Sequence, residues 1–236
     1  MPNKPHDPTL TYRLTLSDEK KLEYFFGEED GKITLTKLEN LSPDSWMILE
    51  HEQCTNCPLN IEENMLCPIA ENLSVLLKDW HDIVSYDEVL LEVITEQRTI
   101  TAETTAQKAL SSLLGLLMAT SECPHTQFFR PMAQFHLPLS TAGETSFRAI
   151  STHLITQLFR HQNREDISFN LDGLVEVYDN MHIVNTCLKK RIESAVEQDA
   201  AINAVVLLDL FAITFPNYLE DELDNLKQHF SILINK

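Results

Sequence analysis

The hydropathy pattern changes period once, near residue 105, and that change limits the folds open to the chain. Before it, apolar residues recur at alternate positions. "LTYRLTL" (10–16) has the spacing of a half-buried strand. "KLEYFFGEEDGKITL" (21–35) reads as a hairpin turning at Asp30-Gly31, because Asp-Gly tolerates the left-handed backbone that a two-residue turn needs. "DEVLLEVITEQRTITAETT" (87–105) predicts two more strands around Glu96-Gln97, and "SWMILEHE" (45–52) predicts a further one.

After residue 105 the spacing is helical. Helices are predicted at 106–120, 142–161, 171–197, 200–215 and 218–234, with a loop of three prolines at 123–141. "PIAENLSVLLKDW" (68–80) is the one earlier helix, with Ile69, Leu73, Leu76, Leu77 and Trp80 on one side. Strands followed by helices predict an α+β fold. An N-terminal antiparallel sheet, interrupted by a cysteine segment and one helix, precedes an all-helical C-terminal bundle. The strand-rich part with its cysteine cluster is residues 1–105 and the helical part is 106–236, as two units or as one integrated domain. Residues 1–8, with three prolines, read as a loose leader.

The helix at 171–197 carries a heptad: Leu171, Leu174, Tyr178, Met181, Asn185, Leu188, Ile192 and Ala195. Leu219, Leu223, Leu226, Phe230 and Leu233 continue the spacing near the C-terminus. These stripes fit the inner seam of a bundle better than a homodimer through helices 171–197 and 218–234, which is the alternative.

Charge narrows the partners. Asp and Glu number 36 against 18 Lys and Arg, a net charge of −18, so nucleic acid and an anionic membrane surface would be repelled. The densest basic cluster, "LKKRIE" (188–193), reads as a solvated helix face. The apolar stretches at 109–119 and 204–215 are shorter than a bilayer span, and the second contains Asp209. The opening residues, without an apolar segment, predict no secretory signal. The expectation is a cytoplasmic protein with a protein partner.

The chemistry is concentrated in "HEQCTNCPLNIEENMLCPIAENL" (51–73). It holds three of the five cysteines: Cys54, Cys57 and Cys67. A C-x2-C pair lets two thiolates of one turn face the same way, half of a tetrahedral site, and Cys67 and Cys123 can supply the other half. His51 and His125 are reserve ligands. Clustered thiols in a reducing compartment point to zinc or an iron–sulfur cluster, set against the plainer reading of small buried residues. Cys57, Cys67 and Cys123 are each followed by proline, which makes each a candidate helix N-cap where thiolate is favoured. Cys187 reads as a core residue.

Residues 123–148 form a second dense stretch. Thr141-x2-Glu144 is a capping box. Ser140, Thr141 and Gly143 with Arg130 or Arg148 could instead form an anion pocket, to which His136 would belong. Cys123 with His125 or His136 could act as nucleophile and base, although residues two apart in an extended loop point away from each other. His136, His81 and His153 have the setting of packed core histidines. Asp209, in an apolar run, is either solvent-facing or buried against a partner such as Arg148. The absence of a Walker A sequence argues against nucleoside triphosphates.

Taken together, "HEQCTNCPL", "CPIAENL", "ALSSLLGLLMATSECPH", "RPMAQFHLPL" and "INAVVLLDLF" resemble a bacterial family of domains of unknown function, over nearly the whole chain. The resemblance implies a bacterial cytosolic protein and lends no catalytic residue. From the residues themselves, the leading expectation is a metal-binding regulatory, sensor or adaptor protein with Cys54, Cys57, Cys67 and Cys123 as ligands. A thiol- or metal-dependent enzyme around Cys123, His125 and His136, and an anion-ligand sensor at 140–148, are the alternatives.

Overall fold

A computed structural model describes residues 8–36, 43–80, 82–195 and 199–234. Most of the leader and His81 lie outside the described residues. Alternating sequence becomes a five-stranded antiparallel sheet in the order β3-β2-β1-β4-β5. The strands are β1 (Leu10–Leu16), β2 (Lys21–Glu29), β3 (Lys32–Leu35), β4 (Glu88–Thr95) and β5 (Thr99–Thr105). Asp30 and Gly31 both take left-handed backbone at the β2–β3 turn, as Asp-Gly allows.

The alternation sets one face inward. Leu10, Tyr12 and Leu14 of β1 lie beside Leu22, Tyr24 and Phe26 of β2 and Val89, Leu91 and Val93 of β4, all buried. Each such side chain contributes about 1.5–3 kcal/mol by leaving water. Buried polar atoms on this face are paired: the Trp80 indole N–H donates to Tyr24 Oη at 2.8 Å, and the Tyr24 hydroxyl donates to Asp79 Oδ2 at 3.1 Å. The helices are α1 (Pro68–Leu77), α2 (Ala106–Ala119), α3 (Arg130–Gln134), α4 (Ala142–Gln162), α5 (Asp172–Glu193), α6 (Asp199–His229) and α7 (Ser231–Ile234). One contiguous core runs from the sheet through α1 and α2 to α5 and α6. The α+β architecture follows the change of period in the sequence.

Several elements differ from the sequence expectation. Residues 45–52 join neither edge of the sheet; Ser45–Met47 is a 3-10 turn, and a single bridge links Ile48 to Leu66. The proline-rich loop after α2 contains a 3-10 helix, Pro124–Phe129, followed by α3. The two predicted terminal helices are one, because α6 runs through Pro216. An internal proline forfeits a hydrogen bond at about 3 kcal/mol. Ala212, Phe215 and Leu219 are buried on both sides of it, so one packed stripe continues across the break. The full helix is long and apolar enough to cross a membrane, with mean hydropathy 1.6 in its most apolar window, which residues 204–215 alone are not.

The heptad of α5 is an interior seam. Leu174, Tyr178, Met181, Asn185, Leu188 and Ile192 are all buried, and Tyr178 packs its ring against Phe211 and Phe215 of α6. Asp209 is partnered by His182 Nδ1 at 2.9 Å rather than by Arg148. Arg191 overturns the solvated reading of "LKKRIE": it is 2% exposed.

Candidate functional site

The cysteine segment is pinched at its base. Leu49 N–H donates to Met65 O at 3.0 Å and Cys67 N–H donates to Met47 O at 2.9 Å, so the two ends of the 50–64 excursion lie side by side. At its tip, the Cys57 amide closes a turn onto the Cys54 carbonyl at 3.0 Å. Cys67 is the N-cap of α1, with Pro68 at its first position, and Cys123 caps the 3-10 helix in the same way. Pro58 does not begin a helix, so Cys57 departs from the N-cap expectation and sits at the end of the turn.

One face of α5 docks this segment. Asn56 Nδ2 donates to Asn180 Oδ1 at 2.8 Å, and His51 Nε2 pairs with Ser194 Oγ at 2.9 Å. Between them, Arg191 Nη1 donates to the carbonyls of Trp46 (2.8 Å) and Ile48 (2.7 Å), and Nη2 to that of Leu49 (2.6 Å). Asn180, Cys187, Arg191 and Ser194 are spaced 7, 4 and 3 apart, which keeps them on one side of the helix. From the 3-10 helix after α2, His125 Nε2 pairs with Asn56 O at 2.7 Å. Both reserve histidines therefore hold the Cys54–Cys57 turn and its approach in place.

The consequence is that Cys54 and Cys123 each feel the charge of other cysteines: Cys187, Cys67 and Cys123 in the first case, Cys67 and Cys57 in the second. Burial pushes the Cys54 thiol far up, and neighbouring Cys187, Cys67 and Cys123 push it further, Cys187 by hydrogen bonding as well as charge. Cys123 is pushed up to about 11, chiefly by burial, with Cys67 and Cys57 adding to the rise. The amides of His125 and Thr126 favour its thiolate but do not outweigh burial. The Cys-Pro cap at Cys123 thus supplies the expected helix-end amides, and desolvation decides the outcome. Cys187 is the member that sequence reasoning missed. Its spacing to Arg191 and Ser194 was the available signal. Among the described residues, no three His, Cys, Asp or Glu side chains are already arranged to hold a metal ion. The thiols are neighbours without forming a closed coordination shell.

A second feature lies among α2, the loop after α3, α4, α5 and α6: a cavity of about 630 Å³. His136, Ser140 and Arg148 line it, whereas Arg130 and Thr141 do not. Arg130 is paired with Glu122 at 2.7 Å. Thr141 makes the capping box, accepting from the Glu144 amide at 3.3 Å while its own amide donates to Glu144 Oε2 at 2.8 Å. His136 Nε2 shares a 2.7 Å hydrogen bond with Tyr12 Oη, and burial with the nearby Arg148 charge lowers its pKa to about 3. His136 is neutral and bonded to Tyr12, His125 is bonded to the Asn56 carbonyl, and the Cys123 thiol stays protonated at neutral pH.

No curated protein and no solved structure matches the chain. The model of one family spans residues 10–231, from the first strand to the last helix, and so takes in the thiol group, the docking face of α5 and the cavity. The chain belongs to that family, described as a domain of unknown function, DUF6901.

Proposed function

We propose that the grouped thiols bind a soft metal, as zinc or as an iron–sulfur cluster, and that the metal-loaded protein acts as a regulatory, sensor or adaptor protein. The observation that carries this reading is the convergence of every cysteine of the chain from four separate segments. An all-sulfur donor set suits zinc and iron–sulfur centres and is poorly matched to magnesium or calcium. Cys54, Cys57, Cys67 and Cys123 are the ligands, and Cys187 lies beside Cys54 as their neighbour. The desolvated thiols of Cys54 and Cys123 are poor anions alone, and a cation beside them reverses that balance. Loading the site draws the thiols together from the neighbouring positions they already hold. It also ties the cysteine segment to the 3-10 helix of the helical half, so metal content controls how the two halves are joined.

Protein purified without oxygen tests this by elemental analysis and absorbance. About one zinc per chain in colourless protein, or iron with sulfide in brown protein, is the expected result. Neither metal, together with unchanged stability in the Cys54→Ser, Cys67→Ser double variant, ends the reading.

A further inference from the structure

The cavity between α2 and the α4–α5–α6 helices has a polar arrangement that the thiol reading does not use. Its walls are mainly apolar, with Met181, Leu208 and Phe211 among them. Its volume, about 630 Å³, falls within the range of small-molecule sites. Two polar groups in the wall lack the partners their chemistry calls for.

The first is Arg148. It is half-buried, and its hydrogen bonds among the described residues go to main-chain carbonyls: Nη2 to Met132 O at 2.6 Å and to Phe135 O at 3.3 Å. Burial lowers its pKa, and the nearby Tyr178 and Glu144 side chains partly offset this. The second is Asn185, 2% exposed, whose Oδ1 has no hydrogen-bond partner among the described residues. A buried amide oxygen left unpaired is unfavourable, so a donor is wanted there. Tyr178, close enough to Arg148 to feel its charge, and Asn185 are seven residues apart on α5, about 10 Å at 1.5 Å per residue. The cavity wall thus carries a cation at Arg148, apolar side chains, and Asn185 with its unpaired amide oxygen.

We propose that this cavity binds a medium-length apolar carboxylic acid, its carboxylate on Arg148 and its far end near Asn185. A monoanion is matched better than a phosphate, because His136 is neutral and Lys108, the other cation of the lining, is exposed. A hydroxyl at the far end of the chain donates to Asn185 Oδ1 and completes the arrangement.

Isothermal titration of the full chain with decanoate, 10-hydroxydecanoate and decanol tests this. The expected order is 10-hydroxydecanoate tightest, then decanoate, with decanol weaker than decanoate by about tenfold or more, the worth of a charge-assisted hydrogen bond. Arg148→Gln keeps a donor for the Met132 carbonyl and should bring decanoate down to the affinity of decanol. Leu208→Trp fills the cavity and should weaken all three. Decanol binding as tightly as decanoate, or no binding by either acid, overturns the proposal. The comparison of acid with alcohol stands on the unmutated protein, so it survives a variant that fails to fold. Metal content measured on the same sample keeps a failure here separate from a failure of the thiol site.

Discussion

Arg191 donates its guanidinium to the carbonyl of Leu49 at 2.6 Å, joining residues 142 positions apart. The same side chain also holds the carbonyls of Trp46 and Ile48. One buried cation thereby fixes the strand of chain that leads into the cysteines, and Cys187 stands one helical turn before it. Replacing Arg191 by Ala leaves three main-chain carbonyls without this donor. The expected loss is about 3 kcal/mol or more. Urea unfolding checks it, and Lys at this position should recover only part of the loss, since an ammonium lacks the planar fork.

Among the thiols, Cys54→Ser, Cys67→Ser and Cys123→Ser should each abolish metal retention, whereas Cys187→Ser should leave most of the metal bound. Elemental analysis of the four variants reads this directly. In metal-free protein, mild oxidation should link Cys54 to Cys187, the neighbour that after burial raises the Cys54 pKa most, and peptide mapping by mass spectrometry identifies the bond. Oxidation confined to Cys54–Cys57 would contradict the placement of Cys187.

His136 gives a pH signature. Its pKa falls from 6.5 to about 3 in the folded chain. Between those values the unfolded chain binds a proton that the folded chain does not, so stability rises with pH across this window and is lost as pH falls from 6.5 toward 3. Thermal unfolding between pH 7 and pH 4 should show this acid lability. His136→Gln should flatten it, at a cost at neutral pH of about 1 kcal/mol for the altered bond to Tyr12. Unchanged acid lability in that variant would assign the effect to another group.

The heptad of α5 is consumed inside the chain, but its continuation is only partly so: Leu219 is buried and Leu226 packs on the core, whereas Leu223, Phe230 and Leu233 are 38%, 42% and 68% exposed. Self-association is therefore expected through residues 218–234 and not through 171–197. Sedimentation should show a dimer that the Phe230→Asp, Leu233→Asp double variant converts to monomer. A dimer that survives this change must use another face.

The sequence by itself determined the elements whose signal is local. Alternation determined β1, β2, β4 and β5, Asp30-Gly31 placed the first hairpin turn, and helical spacing determined α1, α2, α4 and α5. The Thr141–Glu144 capping box was legible because both its partners lie within one turn. Short apolar runs and prolines were less informative. Residues 45–52 look like a strand but find no sheet edge, and Pro216 looks like a boundary but lies within a continuously packed stripe.

Tertiary structure alone decided which of these residues are neighbours. Cys54, Cys57, Cys67 and Cys123 were candidates from their spacing and prolines, but Cys187 joined them only because α5 lies across the cysteine segment. Arg191 was one charge in a basic cluster until that docking buried it. Arg148, Tyr178 and Asn185 share a cavity wall although nothing in their local sequence couples them. Periodicity and capping are properties of neighbours within a few residues. Desolvation and charge coupling arise between segments that only the packed core brings together, and those two effects shift Cys54, Cys123 and His136.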